Sequence, residues 1–422
     1  MVKTDKLVQQ GSVFVAISIL GMILNFLFTM FMIRGLGQYD YGIFETLLRV
    51  LTILAVPCSV IPLTIARFLA QYSARGEYDK IQVLLRSALL STLIIGIIGG
   101  LLLFIGKDII LNILNIQLDS AMPMLVITLI FTFGWILPVL RGGLQGLQKF
   151  TMLGLNIFSD SSVRLIVGII LVYAGYKVSG AIGASLVVVI LGIILSIIPL
   201  AKYIKKPEHQ APKIEMKSIL FYAIPVLLYF YGKELFASLD LFMVSKYLTD
   251  WRGVYATGSV IGSAFWTLPA AIITVMFPMV AHTHAKHESP MHLIQKSLLF
   301  SGLLCIIGIA VCFIAPQLVI RILCGTRYPI DVMVSLLKWF SVCVTPFALA
   351  NVLLNYHLAK ADYECVYILI GGVIIHAILF WLFHNTVYQV LSIVCISGVL
   401  QIIANYWLLV HKENKARVND VT

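Results

Sequence analysis

Four apolar stretches of this chain carry charges where a helix surrounded by hydrocarbon could not leave them unaccounted for. Glu45 and Arg49 lie four residues apart in one stretch, and Asp160 and Arg164 repeat that spacing in another. An acid one turn before a base is the order that pairs best on a helix face. Lys233, Glu234 and Asp240 occupy a third stretch and Lys338 a fourth. Residues 156–164, Asn-Ile-Phe-Ser-Asp-Ser-Ser-Val-Arg, form the most polar run inside any of them. If these groups face a hydrated cavity, Arg49, Arg164, Lys233 and Lys338 would draw in an anion. The planar guanidinium fork in particular matches the oxygens of a phosphate two at a time. Asn156 and its neighbouring serines would offer hydrogen bonds to hydroxyls. Glu45, Asp160, Glu234 and Asp240 would balance charge or carry a coupling proton. The competing reading is that the pairs are neutralised and serve helix packing, and that Lys338 snorkels from the end of its stretch.

The elements that must hold these residues follow from composition. The chain has 422 residues, 60% hydrophobic and only 12% charged. An ordinary soluble domain is roughly 45–50% apolar and about 25% charged. That shortfall of charge excludes a water-soluble enzyme, a disordered scaffold and a disulfide-stapled secreted domain. Apolar runs bounded by charges, Gly or Pro give twelve expected membrane spans: 10–33, 42–71, 82–106, 120–140, 150–174, 179–201, 218–245, 253–281, 293–316, 330–358, 363–383 and 386–410. Each is long enough for the ~20 residues that cross a bilayer. The run after Lys3 and Lys6 is too long for a cleaved signal segment and is read as a retained helix. A charge at the bilayer centre costs about 2.5–3.5 kcal/mol on insertion scales, so the intramembrane ions must face a cavity or one another.

The excess of basic residues, 30 against 19 acidic for a net +11, fits the membrane better than a nucleic-acid partner. With both termini cytoplasmic, the cytoplasmic segments and adjoining span ends, Arg141 among them, hold 18 Lys and Arg. The opposite loops hold seven: Arg34, Lys107, Lys177, Lys246, Arg252, Arg321 and Arg327. That bias satisfies the positive-inside rule. Five more, Arg49, Arg67, Arg164, Lys233 and Lys338, fall further inside spans, with Arg67 expected as an interface anchor. The seven cysteines show no CxxC spacing and read as packing residues. Histidines 282, 284, 287 and 292 read as a solvated loop rather than a metal site, and Gly96, Gly99 and Gly100 as a close helix contact.

The longest connection, Lys202–Lys217, contains two prolines and five lysines near the midpoint. It divides the chain into a lobe over 1–201, a linker over 202–217, a second lobe over 218–410 and a cytoplasmic tail over 411–422. A faint repeat supports the division. Gly42-Ile43-Phe44 corresponds to Gly253-Val254-Tyr255, and Leu147-Gln148-Lys149 to Leu358-Ala359-Lys360, both at an offset of 211. An even number of spans in each half makes the repeat parallel. Two related lobes are a transporter architecture. At the same offset the charges of spans 2 and 5 meet Ala256, Val260, Gly371 and Ile375, so the polar site is expected to be asymmetric between the lobes.

Arg34-Gly35-Leu36-Gly37-Gln38-Tyr39-Asp40-Tyr41-Gly42-Ile43-Phe44 resembles the R-x-L-G-x-x-x-Y-G-x-F signature of the polysaccharide-export flippases in the multidrug/oligosaccharidyl-lipid/polysaccharide exporter superfamily. Leu144-Gln145-Gly146-Leu147-Gln148-Lys149-Phe150, followed by Asn156, resembles the segment after span 4 in the same family. The resemblance implies an all-α polytopic membrane protein with twelve transmembrane helices in two MATE-like six-helix bundles. It further implies a flippase that moves a polyprenyl-pyrophosphate-linked oligosaccharide across the cytoplasmic membrane by alternating access. No cofactor is implied, and the coupling ion is H+ or Na+. The implied partners are that lipid-linked oligosaccharide, membrane lipids, a polysaccharide polymerase and glycosyltransferases. The alternative is a MATE-type multidrug/cation antiporter, for which a mixed-to-basic cavity is the wrong charge. A membrane enzyme is disfavoured, since the longest loop has about 16 residues and no DxD, HExxH or nucleophile elbow occurs.

Overall fold

A computed structural model of the chain describes the backbone of residues 2–205, 216–285, 289–325, 328–360 and 362–421. Those residues are almost entirely helical, and among them there is no strand. That outcome is what lipid demands, because a helix is one of the few backbones that satisfies its own polar groups within a single segment. Contacts divide the chain into two compact units, Met1–Phe230 and Tyr231–Thr422. Most of the expected linker, residues 206–215, lies outside the described residues.

The first unit contains α1 (Val2–Leu54), α2 (Val56–Ala74), α3 (Tyr78–Ile105), α4 (Lys107–Ile113), α5 (Met122–Gly134), α6 (Ile136–Gly146), α7 (Phe150–Leu171) and α8 (Lys177–Ile204). The division falls within α9 (Met216–Tyr247). The second unit continues with α10 (Arg252–Ala285), α11 (Met291–Ile314), α12 (Pro316–Cys324), α13 (Ile330–Ala359), α14 (Glu364–Leu382) and α15 (Val387–Val421).

Among the described residues nine stretches are long and apolar enough to cross a membrane, against the twelve expected spans. Two of the nine are hairpins rather than single crossings. The first, Leu20–Leu54, breaks at Gly37, whose φ of 79° is a left-handed conformation that glycine adopts without strain. Along one straight helix Phe28 and Phe44 would lie about 24 Å apart. Their ring centroids are 6.3 Å apart, so the chain folds back between them. The second, Phe150–Ile204, turns at Gly175, with φ of 93°. There a Cβ on Gly180 would lie 2.9 Å from the Leu171 Cβ, where a continuous helix would separate them by about 13 Å. Twelve crossings remain an expectation from the sequence.

In the first unit α1 packs on α7 and α8, α2 on α6, and α3 on α5. The last contact is permitted by Gly96 and Gly100, where an added Cβ would fall 2.2 Å from the Thr132 carbonyl oxygen and 2.1 Å from its Oγ1. In the second unit α13 is central and packs on α10, α11 and α15. Prolines act as punctuation: α2 carries Pro57 in its first turn, just after a break at Ala55, and Pro138 follows the break at Trp135 between α5 and α6. The seven cysteines are free thiols, buried or half-buried in the helices.

The loops segregate to two ends of each unit in the alternation the spans require. Tyr39, Asp40, Gln117, Asp119 and Lys177 meet at one end of the first unit. At its other end the Lys149 ammonium donates to the Pro199 carbonyl and Gln82 donates to the Lys202 carbonyl. In the second unit Ser289, Lys360, Asp362, Lys412 and Glu413 are joined at one end, and the Tyr247 ring meets that of His384 at a tilt at the other.

Candidate functional site

The most polar stretch of the sequence builds the site. On α7, Asn156, Asp160 and Arg164 follow one another at the four-residue spacing that keeps side chains on one helix face. Asn156 is 1% exposed and donates to the Gly192 carbonyl at 2.8 Å and to Ser196 Oγ at 2.9 Å, both on α8. Its Oδ1 accepts from Arg141 Nε on α6 at 2.8 Å. The same arginine, through Nη2, forms an ion pair with Asp160 Oδ2. A five-residue network therefore ties α6, α7 and α8 together.

This corrects the pairing expected from sequence. Asp160 and Arg164 share a face, but the carboxylate is taken by Arg141 from the neighbouring helix. Among the described residues Arg164 has no ion pair. Its guanidinium lies 5.9 Å from the centre of the Phe28 ring on α1, a cation–π contact, and its Nε is buried without a hydrogen-bond partner. Arg141 had been counted with the residues that orient the chain because it stands near the end of span 4. Spacing within one helix could not show that its side chain reaches back to α7.

Arg164, Asp160 and Ser161 of α7, with Gly21, Met22 and Asn25 of α1, line a cavity of about 350 Å3. That is at the lower end of the roughly 300–1,000 Å3 typical of small-molecule sites. At 1.5 Å per residue, Arg164 lies about 16 Å from the Gly175 turn and Asp160 about 16 Å from the Lys149 end of α7. Both distances are close to half of a hydrocarbon core about 30 Å thick, which puts the cavity near mid-depth in the helix. Sequence reasoning missed the contribution of Asn25, because span 1 carries no charge to draw attention to it.

Residues 7–284 match the family described as polysaccharide biosynthesis protein. The chain belongs to this family. No curated protein sequence matches it, but solved structures do. An inward-facing multidrug resistance MATE family transporter of the MOP superfamily superposes with a TM-score of 0.78 at 12% identity, over 93% of this chain and 95% of that one. The lipid II flippase MurJ in an inward closed conformation gives 0.71 at 13% identity, over 94% and 87%. The eukaryotic MATE transporter AtDTX14 gives 0.68 at 14% identity, over 99% and 98%. The polysaccharide biosynthesis family member is thus a multi-pass membrane protein with the MATE-like transporter fold.

The remaining sequence candidates are placed elsewhere. In this polysaccharide biosynthesis protein Glu45 and Arg49 form the expected pair, Oε1 to Nε at 3.1 Å, but neither lines the Arg164 cavity. In the second unit Glu234 accepts from Ser238 Oγ at 3.3 Å, next to Lys233. Asp240 is buried and accepts from the Tyr255 hydroxyl at 2.8 Å and from the Leu241 N–H at 2.7 Å. Lys338 lies over the Phe313 ring at 5.4 Å. Of the histidine group, residue 287 lies outside the described residues, as do the side chains of 282 and 284. Two other histidines had escaped notice: His376, fully buried with Nδ1 2.9 Å from Ser397 Oγ, and His357, whose Nδ1 lies 3.1 Å from Asp362 Oδ2.

Proposed function

We propose that this protein is a flippase for a polyprenyl-diphosphate-linked oligosaccharide, working by alternating access in the cytoplasmic membrane with both termini on the cytoplasmic side. The observation that carries the reading is Arg164. A guanidinium with no carboxylate of its own, at mid-depth in a polar cavity of a polysaccharide biosynthesis family member, is suited to a phosphate-bearing headgroup. Asn25 and Ser161 supply hydrogen bonds beside it for the second phosphate or the first sugar. Arg49, Lys233 and Lys338 are candidate contacts elsewhere along the path. Glu45, Glu234 and Asp240 are candidate charge-balancing or proton-carrying groups, with H+ or Na+ as the coupling ion. A polymerase and glycosyltransferases would act on the same lipid-linked glycan. The lipid II flippase is a precedent on this fold for moving such a substrate.

A drug-cation antiporter is the other transport reading for the fold. It is disfavoured by the sign of the cavity, since the acid beside Arg164 is already neutralised by Arg141. The decisive experiment is charge reversal. R164E should insert normally and abolish export of the surface polymer in a strain that depends on this gene. Normal export by R164E would refute the anion-site reading, and proton- or sodium-driven dye efflux by the wild type would support the antiporter instead.

A further inference from the structure

We infer that Arg141, which does not line the cavity, sets the charge of the diphosphate site by neutralising Asp160, which stands beside Arg164 in the cavity wall. The inference rests on reading the Arg164 cavity as an anion site. Asp160 and Arg164 stand one turn apart on α7, so Arg164 is the nearest base the carboxylate could reach by a side-chain rotation. It is instead held by Arg141 of α6. Arg141 is aimed by a second hydrogen bond, from its Nε to Asn156 Oδ1 at 2.8 Å. Asn156 is fixed in turn by the Gly192 carbonyl and Ser196 Oγ of α8. Three helices therefore determine where the Arg141 charge points.

The electrostatic consequence is a division of labour between two arginines and one acid. The Arg141–Asp160 pair sums to zero, so the Arg164 charge, which packs on the Phe28 ring, sets the net charge of the cavity. Without the charge of Arg141, Asp160 would be an uncompensated ion in a low-dielectric setting and would turn to Arg164. The cavity would then fall from a net +1 to zero with every residue that touches ligand still present. Arg141 is thus a positioning residue. Its role is separable from packing, because removing the acid as well should return the lost affinity.

The test uses the full-length protein in nanodiscs and farnesyl diphosphate as the probe, with farnesol as the uncharged control. Wild type should bind the diphosphate and not the alcohol, and R164Q should lose that binding. R141Q should weaken it about tenfold or more, and R141Q/D160N should recover to within about threefold of wild type. Should R141Q fail to fold, N156A takes its place: it leaves both charges but unfixes Arg141, giving a smaller loss that N156A/D160N reverses. Unchanged affinity in R141Q, or failure of D160N to restore it, overturns the inference while the R164Q result still upholds the anion site. No diphosphate binding by wild type, or equal binding by R164Q, overturns the anion site itself and the inference with it.

Discussion

The two units tie their helices together at mid-length in different ways. In the first, ions stand in the middle of the helices: Glu45 with Arg49, Asp160 with Arg141, and Arg164 beside a cavity. In the second, a group of ion pairs stands at one end, where Asp362 meets His357 and Lys412, Lys412 meets Glu364, and Lys360 meets Glu413. The middle of that unit is a column of rings. His376 of α14 stacks on Phe236 of α9 at 4.4 Å, Phe236 stacks on Phe347 of α13 at 3.6 Å, and Trp266 of α10 meets Phe347 edge-on at 4.4 Å. Four helices are joined by aromatic contact where the first unit joins three by an ionic network. Helices of the first unit are thus tied by a charged network and those of the second by rings, although the second unit also buries Asp240 and Arg252.

The contrast predicts opposite responses to mutation. R164I puts into the first unit the residue type found at the matching position of the second, Ile375. It should cut polymer export about a hundredfold or more, as expected for losing a buried charge contact, and leave thermal stability unchanged or raised. F236A should do the reverse. It removes a ring that is 2% exposed from the centre of the column, for a loss of about 3 kcal/mol in a reversible unfolding assay. The driving force there is packing rather than water exclusion, since lipid is as apolar as the ring it replaces. Export by F236A at a permissive temperature should persist. A stable F236A, or a destabilised R164I, would erase the distinction between the units.

The sequence led to the expectation of a polar site that differs between the halves, because the charges of spans 2 and 5 have no same-type partner 211 residues on. The helices were legible, since runs of this hydropathy have no other way to satisfy their backbone in lipid. The turns at Gly37 and Gly175 fell where glycine interrupted an apolar run. The site was legible only in part. Asp160 and Arg164 were found, but their relationship was misread, because a four-residue spacing describes one helix and the Arg141 pairing depends on how α6, α7 and α8 meet. Asn25 was invisible for a similar reason: an isolated amide in an apolar run gains meaning only when α7 is packed against it. His376 gave no local signal at all, since its partners Ser397 and Phe236 lie on other helices.

The ionic end of the second unit should respond to acid in a defined direction. Burial alone would raise the Asp362 carboxyl, but hydrogen bonds from His357, Lys412 and the Glu364 N–H reverse this and hold it well below the ordinary carboxylate range. A depressed folded value means that Asp362 contributes full stability above its unfolded value of about 3.9 and loses it as pH falls through the lower folded one. D362N should cost about 1–3 kcal/mol near neutral pH, from the loss of hydrogen bonds to charged partners. Unfolding followed between pH 7 and pH 3 should show the gap between wild type and D362N constant down to about pH 4 and narrowing below it, without closing by pH 3. A difference that stays constant across that range would mean that the carboxylate charge is not what joins the α13–α14 connection to α15.

The smallest effect should come from Glu45, and it separates the two ionic pairs of the first unit from each other. Glu45 and Arg49 pair along one helix at 3.1 Å and are partly exposed, so E45Q should cost less than about 1 kcal/mol. Asp160 and Arg141 pair across two helices and neighbour the Arg164 cavity, which Glu45 and Arg49 do not line. Removing the Glu45 charge by E45Q should therefore leave farnesyl diphosphate affinity within about threefold of wild type, well short of the change expected for R141Q. Titration of E45Q beside R141Q under the same conditions measures both. If E45Q moves the affinity as far as R141Q does, the diphosphate responds to any charge in the first unit, and the cavity between α1 and α7 loses its claim to be a localised site.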